Sequence, residues 1–283
     1  MRIALVQMQS RFGATKENIE KIAGFVREAA GRKAGLICFP ELSIHGYDRE
    51  KAHLAAETIP GDSSLAISSL AGDTGVIVLA GMAEQTGSGK PLITHLVAFP
   101  DGTLCKYRKT HLGKSERPYF TAGDEFPVFS TGKARFGIQI CWDLHFPEVT
   151  TVFSLKGAEI IFAPHASPSI VGDREGIWLK YLPARAYDNA VFVAACNLVG
   201  DGGNGQVFCG GAMVLDPKGN VIAGAFNGRE ELLVADLEPD LINTIRLRES
   251  DSMRNSFFLE GRRPKLYGEL VEPDREARRS PSP

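Results

Sequence analysis

No apolar stretch of this chain reaches the roughly 18 residues that a membrane-crossing helix needs, so nothing in it is expected to span a bilayer. The opening MRIALVQMQSRF enters an alternating apolar pattern at once, without the basic region, long apolar core and small-residue cleavage site of a secretory leader. Excess charge is missing too. With 32 basic and 34 acidic residues the net charge is −2, which offers no long-range attraction to nucleic-acid phosphates or anionic lipid, and neither is expected as a partner. Cysteine is scarce: Cys38, Cys105, Cys141, Cys196 and Cys209 form an odd set without paired spacing. Four of the five lie in or beside apolar strand-like runs and read as small buried hydrophobes, and a reducing cytoplasm is the expected location. Six scattered histidines give no HxxxH pair and no CxxC pair exists, so no metal is expected. The glycines of VGDGGNGQ at 199–206 match no dinucleotide fingerprint between a strand and a helix. They read as a turn or a loop on the substrate side, and no cofactor is expected.

What remains is a chain built for one large core, with 283 residues of which 43% are apolar and 23% charged. Arg2 to Gln7 predicts a strand, and Ile19, Ile22, Ala23, Phe25 and Val26 recur at helical spacing within Thr15 to Ala30. Gly35 to Phe39 is an unbroken apolar run, a strand of a sheet covered on at least one face, and it ends at Pro40 and Glu41. A helix near 63–71 leads to strands over 75–82 and 93–100, where Asp101-Gly102 turns the chain into TLCKYRK and delivers Lys109. KARFGIQIC at 133–141 alternates as a strand, and Phe146 to Lys156 reads as a helix with Pro147 near its first turn. Cys141 therefore falls on a sharp strand-to-helix corner. The rhythm continues with strand AEIIFAP, a helix over Glu175 to Asn189, and strands AVFVAAC, GGAMVLD, VIAGAF and ELLVADL. So many strands exceed one small sheet, and two stacked sheets with outer helices are predicted. Residues 1–261 read as one globular unit, and 262–283, poor in apolar residues, as a tail that is mobile or lies against a partner subunit.

A thiol at such a corner is accessible and close to backbone N–H groups, which lower its pKa and can receive a developing oxyanion. An unperturbed thiol is only about 3% thiolate at neutral pH, so a nucleophile needs a base or a cation nearby. Glu41 and Lys109 supply these groups at the ends of two other strands. A partly buried carboxylate has a raised pKa suited to proton transfer, and an ammonium can sit where negative charge develops. A Cys-His pair using His145 or His111 is a rival arrangement.

The segments FPELSIHGY, YRKTHLGKSERPYFTAGD and GIQICWDLHFPE resemble, in order and separation, the three signature regions of the nitrilase superfamily, the carbon–nitrogen hydrolases. The likeness runs from ALVQM to about RRPKLY. It implies a four-layer αββα sandwich, an α/β fold of two stacked mixed sheets with outer helices, and a Glu-Lys-Cys set that maps onto Glu41, Lys109 and Cys141. Many members carry a second glutamate, which maps onto Glu116 and would orient Lys109 or the attacking amine. The resemblance implies hydrolysis of a small-molecule amide or N-carbamoyl compound through a thioester, with the backbone N–H of Trp142 helping Lys109 to hold the oxyanion. Nitrile hydrolysis and acyl transfer to an amine are alternatives on the same scaffold. Nitrile-hydrolysing members resemble a Cys-Trp-Glu pattern, so Asp143 points toward amides, while His145 stands where related sequences commonly have Arg. Tyr47, Trp142, His145, His165 and Asn197, just past strand ends, are the expected lining of the substrate pocket. Arg185 and Asp188 are expected to be structural. A homodimer or higher homo-oligomer is implied, and with no room after residue 270 for a ligase domain, stand-alone hydrolysis is expected.

Overall fold

The computed structural model describes residues 1–87, 89–246 and 257–272. Its first sheet grows from the N-terminus. Strand β1 (Arg2–Gln7) is followed by helix α1 (Thr15–Gly31), β2 (Leu36–Cys38), the short α2 (Ala52–Ala55), α3 (Asp62–Thr74), β3 (Ile77–Glu84), β4 (Leu92–Ala98) and β5 (Leu104–Arg108). The second half carries β6 (Phe129–Ser130), β7 (Arg135–Ile138), α4 (Pro147–Leu155), β8 (Ile160–His165), α5 (Arg174–Trp178), α6 (Leu182–Asn189), β9 (Phe192–Asn197) and a hairpin of β10 (Val199–Asp201) and β11 (Val207–Cys209). Strands β12 (Ala212–Leu215), β13 (Val221–Ala225) and β14 (Glu231–Asp236) and helix α7 (Pro239–Arg246) follow.

Two six-stranded mixed sheets result, in the orders β14-β1-β2-β3-β4-β5 and β13-β12-β9-β8-β7-β6. In each, three central strands run parallel and the flanking strands antiparallel. The two-residue period of a strand divides the first sheet between two cores. Ile3, Leu5, Leu36 and Leu79 face the second sheet, where they meet Phe136, Ile138 and Phe162. Their neighbours Ala4, Val6, Ile37 and Val78 face outward onto Ile22 and Val26 of α1 and Ile67 of α3. Both faces are covered, which is why GLICF is apolar without a break. Each of the Val, Leu, Ile and Phe side chains, fully buried, contributes about 1.5–3 kcal/mol. Helices α4 and α6 cover the other sheet through Val149, Phe153, Leu182 and Ala186, completing the αββα sandwich. A parallel bridge between Met8 and Leu198 joins the two sheets just past β1 and β9.

The structure departs from the sequence reading in three places, and it adds detail to the C-terminal segment. The helix expected over 175–189 is two helices, α5 and α6, because Pro183 lies in the first turn of α6 and cannot donate the hydrogen bond that would carry one helix through. The 199–206 segment is not a bare turn: it forms β10 and the hairpin tip leading to β11. Cys38 and Cys196 are buried, but Cys105 and Cys209 are only half-buried. The C-terminal segment, through residue 271, forms short 3₁₀ turns that line a groove with α4 of the same chain through Leu259, Tyr267 and Leu270. The part of the expected tail from 273 to 283 lies outside the described residues. Among the described residues no helix is long and apolar enough to cross a membrane.

Candidate active site

Parallel strands deliver their carboxyl ends to one edge of a sandwich, and the loops beyond those ends build its binding sites. Here β2, β5, β7 and β8 deliver Glu41, Lys109, Cys141 and Ser167. The loop from Glu41 to Tyr47 is buried and tightly held. Leu42 sits at φ 52°, and the loop backbone lies so close to Gly81 of β3 that a Cβ there would overlap the backbone N of Leu42. Gly81 donates to Ser43 Oγ at 3.1 Å and accepts from Ile44 N at 2.9 Å. His45 Nδ1 accepts from Ala83 N at 3.1 Å, which leaves Nε2 to donate to Glu57, also at 3.1 Å.

Glu41 points inward, 1% exposed, with Oε1 accepting from Lys109 Nζ at 2.8 Å and Oε2 from Ala166 N at 3.0 Å. Lys109 also donates to both oxygens of Glu116, at 2.8 and 2.9 Å. Glu116 is fixed in turn by Tyr47 Oη at 2.9 Å and Gly113 N at 2.8 Å. One buried ammonium thus faces two buried carboxylates, and their titrations diverge. Burial opposes the charge on Lys109, but Glu41 and Glu116 hold its pKa well above the usual range. Burial likewise pushes Glu116 up, yet the charge and hydrogen bonds of Lys109 bring it below the ordinary value. Glu41 goes the other way: burial raises it to about 7, with Glu116 adding to the rise and Lys109 opposing it.

Cys141 begins a 3₁₀ turn, Cys141–His145, with φ at 46°, a left-handed backbone that few non-glycine residues adopt. Such a turn start leaves the N–H of Trp142 without an intrahelical partner. Asp143 holds the corner. Fully buried, it accepts hydrogen bonds from Ile140 N at 2.9 Å, Tyr107 Oη at 2.7 Å, Thr110 Oγ1 at 3.0 Å and His111 N at 2.8 Å. It therefore ties the cysteine corner to the segment carrying Lys109. Asp143 does not line the cavity, so the inference of substrate type drawn from it has no direct contact behind it. Burial, then the negative Glu41, push the Cys141 thiol up to about 12 against the pull of Lys109. The expectation of a thiol acidified by backbone N–H groups is overturned: in the resting site the sulfur keeps its proton.

These residues share a cavity of about 440 Å³. Glu41, Lys109, Glu116 and Cys141 line it together with Tyr47, Trp142, His145 and His165. Trp142 stands at the rim with its ring 4.8 Å from that of His145, which lies 5.2 Å from Tyr181. Partial burial, then Arg185 and Arg174, hold His145 below its ordinary pKa, and burial drives His165 down to about 3. Both rings are neutral at pH 7. Asn197 does not reach the cavity. It clamps Ser167 from behind, accepting from its N–H at 2.7 Å and donating to its carbonyl at 3.2 Å and to Gly210 O at 2.9 Å. Arg185 donates to Leu144 O at 3.1 Å, in keeping with a structural role. His111 stacks on Phe146 with ring centroids 4.0 Å apart and is not among the lining residues.

Sequence reasoning missed several lining residues, Ser167, Arg174 and Tyr181 among them. Ser167 Oγ lies 3.9 Å from Cys141 Sγ, and only the run FAPHASP leaving a strand marks it in the sequence. Among the described residues no group of three His, Cys, Asp or Glu is placed to hold a metal ion. The site combines a protonated thiol, a carboxyl poised near neutrality and a fixed ammonium, the parts required for acyl transfer through sulfur.

A family model described as carbon-nitrogen hydrolase matches residues 2–247. The (R)-stereoselective amidase of a Pseudomonas species is 33% identical over 275 residues, which cover 96% of this chain and 95% of that protein. The nitrilase of Pyrococcus abyssi is 32% identical over 254 residues, covering 88% and 94% respectively. Among solved structures, a mutant of the amidase from Nesterenkonia sp. AN1 in complex with butyramide matches with a TM-score of 0.82 at 27% identity, over 96% of this chain and 97% of that one. Another mutant of that amidase carries acrylamide added at its active-site cysteine.

Proposed function

This chain belongs to the carbon-nitrogen hydrolase family, and from that premise we propose that it hydrolyses the C–N bond of a small amide or N-carbamoyl compound through a thioester on Cys141. The observation that carries the reading is the meeting of Glu41, Lys109 and Cys141 in one cavity, with Lys109 Nζ 2.8 Å from Glu41 Oε1; in that setting burial raises the carboxyl to about 7 and the thiol to about 12. Transfer of the thiol proton to Glu41 is uphill in the resting site, so it accompanies attack of sulfur on the carbonyl carbon and no free thiolate accumulates. Lys109 and the N–H of Trp142 take the oxyanion, and losing one such donor costs about 3–4 kcal/mol in the barrier. As the C–N bond breaks, Glu41 returns its proton to the leaving nitrogen. It then accepts a proton from the water that attacks the thioester, and the acid leaves as the thiol is restored. Glu116 keeps Lys109 charged and in place.

Screening aliphatic amides, N-carbamoyl compounds and nitriles for released ammonia, with intact-mass detection of an acyl adduct on Cys141, tests this reading. Ammonia from an amide or carbamoyl compound with the adduct on Cys141 supports it; activity without an adduct, or an adduct elsewhere, defeats it. The likeness to the Pyrococcus abyssi nitrilase favours a second reading, nitrile hydrolysis, which the nitrile arm decides. Product analysis with and without added amine decides acyl transfer.

We also propose a homodimer in a reducing cytoplasm, with residues 1–261 as the hydrolase unit and 262–283 as an appended segment. Five free cysteines support the compartment, and the exposed Leu155, Leu270 and Val271 along the α4 groove support the interface. Sedimentation of the purified protein checks the dimer, and a monomer at micromolar concentration refutes it.

A further inference from the structure

Resting on amide hydrolysis at Cys141, we infer that the substrate carries a carboxylate away from the scissile bond and that Arg174 is its receptor. Arg174 opens α5 and lines the Cys141 cavity while only 8% exposed. Buried cations are normally neutralised, because an unpaired charge away from water is costly. Lys109 obeys this rule with two carboxylates, whereas Arg174 pairs with no carboxylate among the described residues and its Nε has no hydrogen-bond partner. Its guanidinium lies over the Trp178 ring, Cζ 5.9 Å from the centroid, which orients the planar fork without compensating its charge.

The surroundings fit an anion with a donor attached near it. His165 Nε2, on the same cavity, also lacks a partner. Its Nδ1 lies 2.8 Å from Ala163 O, an acceptor, so Nδ1 carries the proton and Nε2 offers a lone pair. Four cationic side chains, Arg49, Lys109, Lys114 and Arg174, line the cavity against two carboxylates, Glu41 and Glu116, and both carboxylates are committed to Lys109. The excess positive charge draws an anion in, and a guanidinium fork matches a carboxylate with two parallel hydrogen bonds. Two substrate types share this chemistry: the monoamide of a short dicarboxylic acid, with the carboxylate in the acyl half, and an N-carbamoyl amino acid, with it in the amine half.

The test compares kcat/KM of the enzyme for monoamides of four- to six-carbon dicarboxylic acids and for N-carbamoyl amino acids, each beside its own methyl ester. In at least one series the acid is expected to exceed the ester by about tenfold or more, as a buried charge-assisted hydrogen bond implies. That ratio is expected to collapse toward one in Arg174→Met, with Arg174→Lys between. Esters turned over as well as acids in both series overturn the inference, as does a preference for acids that survives in Arg174→Met. Calorimetric titration of the Cys141→Ala protein reads the site without chemistry and without altering Arg174. Tighter binding of an acid than of its ester supports the receptor, and equal binding in both series removes it. If neither acids nor esters are hydrolysed, the hydrolase reading fails while this titration still decides the anion site.

Discussion

Glu116 grips Lys109 with both carboxylate oxygens, 2.8 and 2.9 Å from Nζ, and so takes up much of the charge that would otherwise hold Glu41 ionised. A carboxylate about 4 Å from an ammonium is worth roughly 4 kcal/mol at an effective dielectric of about 20, before desolvation. Glu116→Gln is expected to remove both this competition and the direct repulsion that raises Glu41. The Glu41 pKa falls, and the acid limb of kcat/KM moves to lower pH. A less firmly held Lys109 lowers kcat about tenfold to hundredfold. A limb that stays in place would mean that Glu116 does not govern Glu41.

In the unaltered enzyme the same limb is expected near pH 7, because the base must be ionised and burial raises Glu41 to about 7. Above it the profile stays flat through the alkaline range, since Cys141 is pushed up to about 12 and Lys109 well above its usual range. Burial and two arginines hold His145 below the ordinary histidine value near 6.5, so a limb below pH 6.5 that is lost in His145→Phe would move the proton transfer to His145. A pH profile of kcat/KM on one good amide decides between the two residues.

Stability carries the same signature with a definite sign. A carboxyl with a raised folded-state pKa keeps its proton longer in the folded protein than in the unfolded chain. The folded protein therefore loses stability as pH rises from the ordinary value near 4.5 to about 7. Glu41→Gln has no proton to lose at this position, and Glu116 still pairs with Lys109 in it. The difference in Tm between Glu41→Gln and the parent protein is expected to grow in favour of the variant between pH 5 and pH 8. A difference independent of pH would place the Glu41 titration elsewhere.

Much of this architecture was legible because periodicity reports local geometry. The alternation of β1, the helical spacing of α1 and the Asp101-Gly102 turn between β4 and β5 all lie in the sequence, as do Glu41, Lys109 and Cys141 at strand ends. The break at Pro183 was legible in principle, since a proline inside a helical pattern removes a donor. Other features depend on which distant loops meet. Asn197 sits at a strand end like a pocket residue, yet the strand places it behind Ser167. Asp143 reads as part of a catalytic motif, yet it faces Tyr107 and Thr110 in the interior. Arg174 is an unremarkable helix residue until the fold shows that no carboxylate among the described residues comes to meet it.

Asp143→Asn is expected to loosen the cysteine corner. The substitution sets an amide N–H₂ against donors from Ile140, Tyr107, Thr110 and His111, leaving at least one of them unpaired at about 1–3 kcal/mol. Thermal unfolding should come several degrees earlier, and kcat/KM should fall by about tenfold or more as the positive-φ Cys141 relaxes. Parent-like melting together with a parent-like rate would show that the clamp is dispensable.

The most direct test of the account is the rate at which an amide acylates Cys141 when Glu41 can no longer accept the thiol proton. Rapid quenching and intact-mass analysis at pH 8 follow the adduct in the parent protein, in Glu41→Gln and in Cys141→Ala. The account predicts fast acylation in the parent, acylation slowed by about 10²–10⁴ in Glu41→Gln, and none in Cys141→Ala. Acylation of Glu41→Gln at the parent rate, or amide turnover surviving in Cys141→Ala, would contradict it.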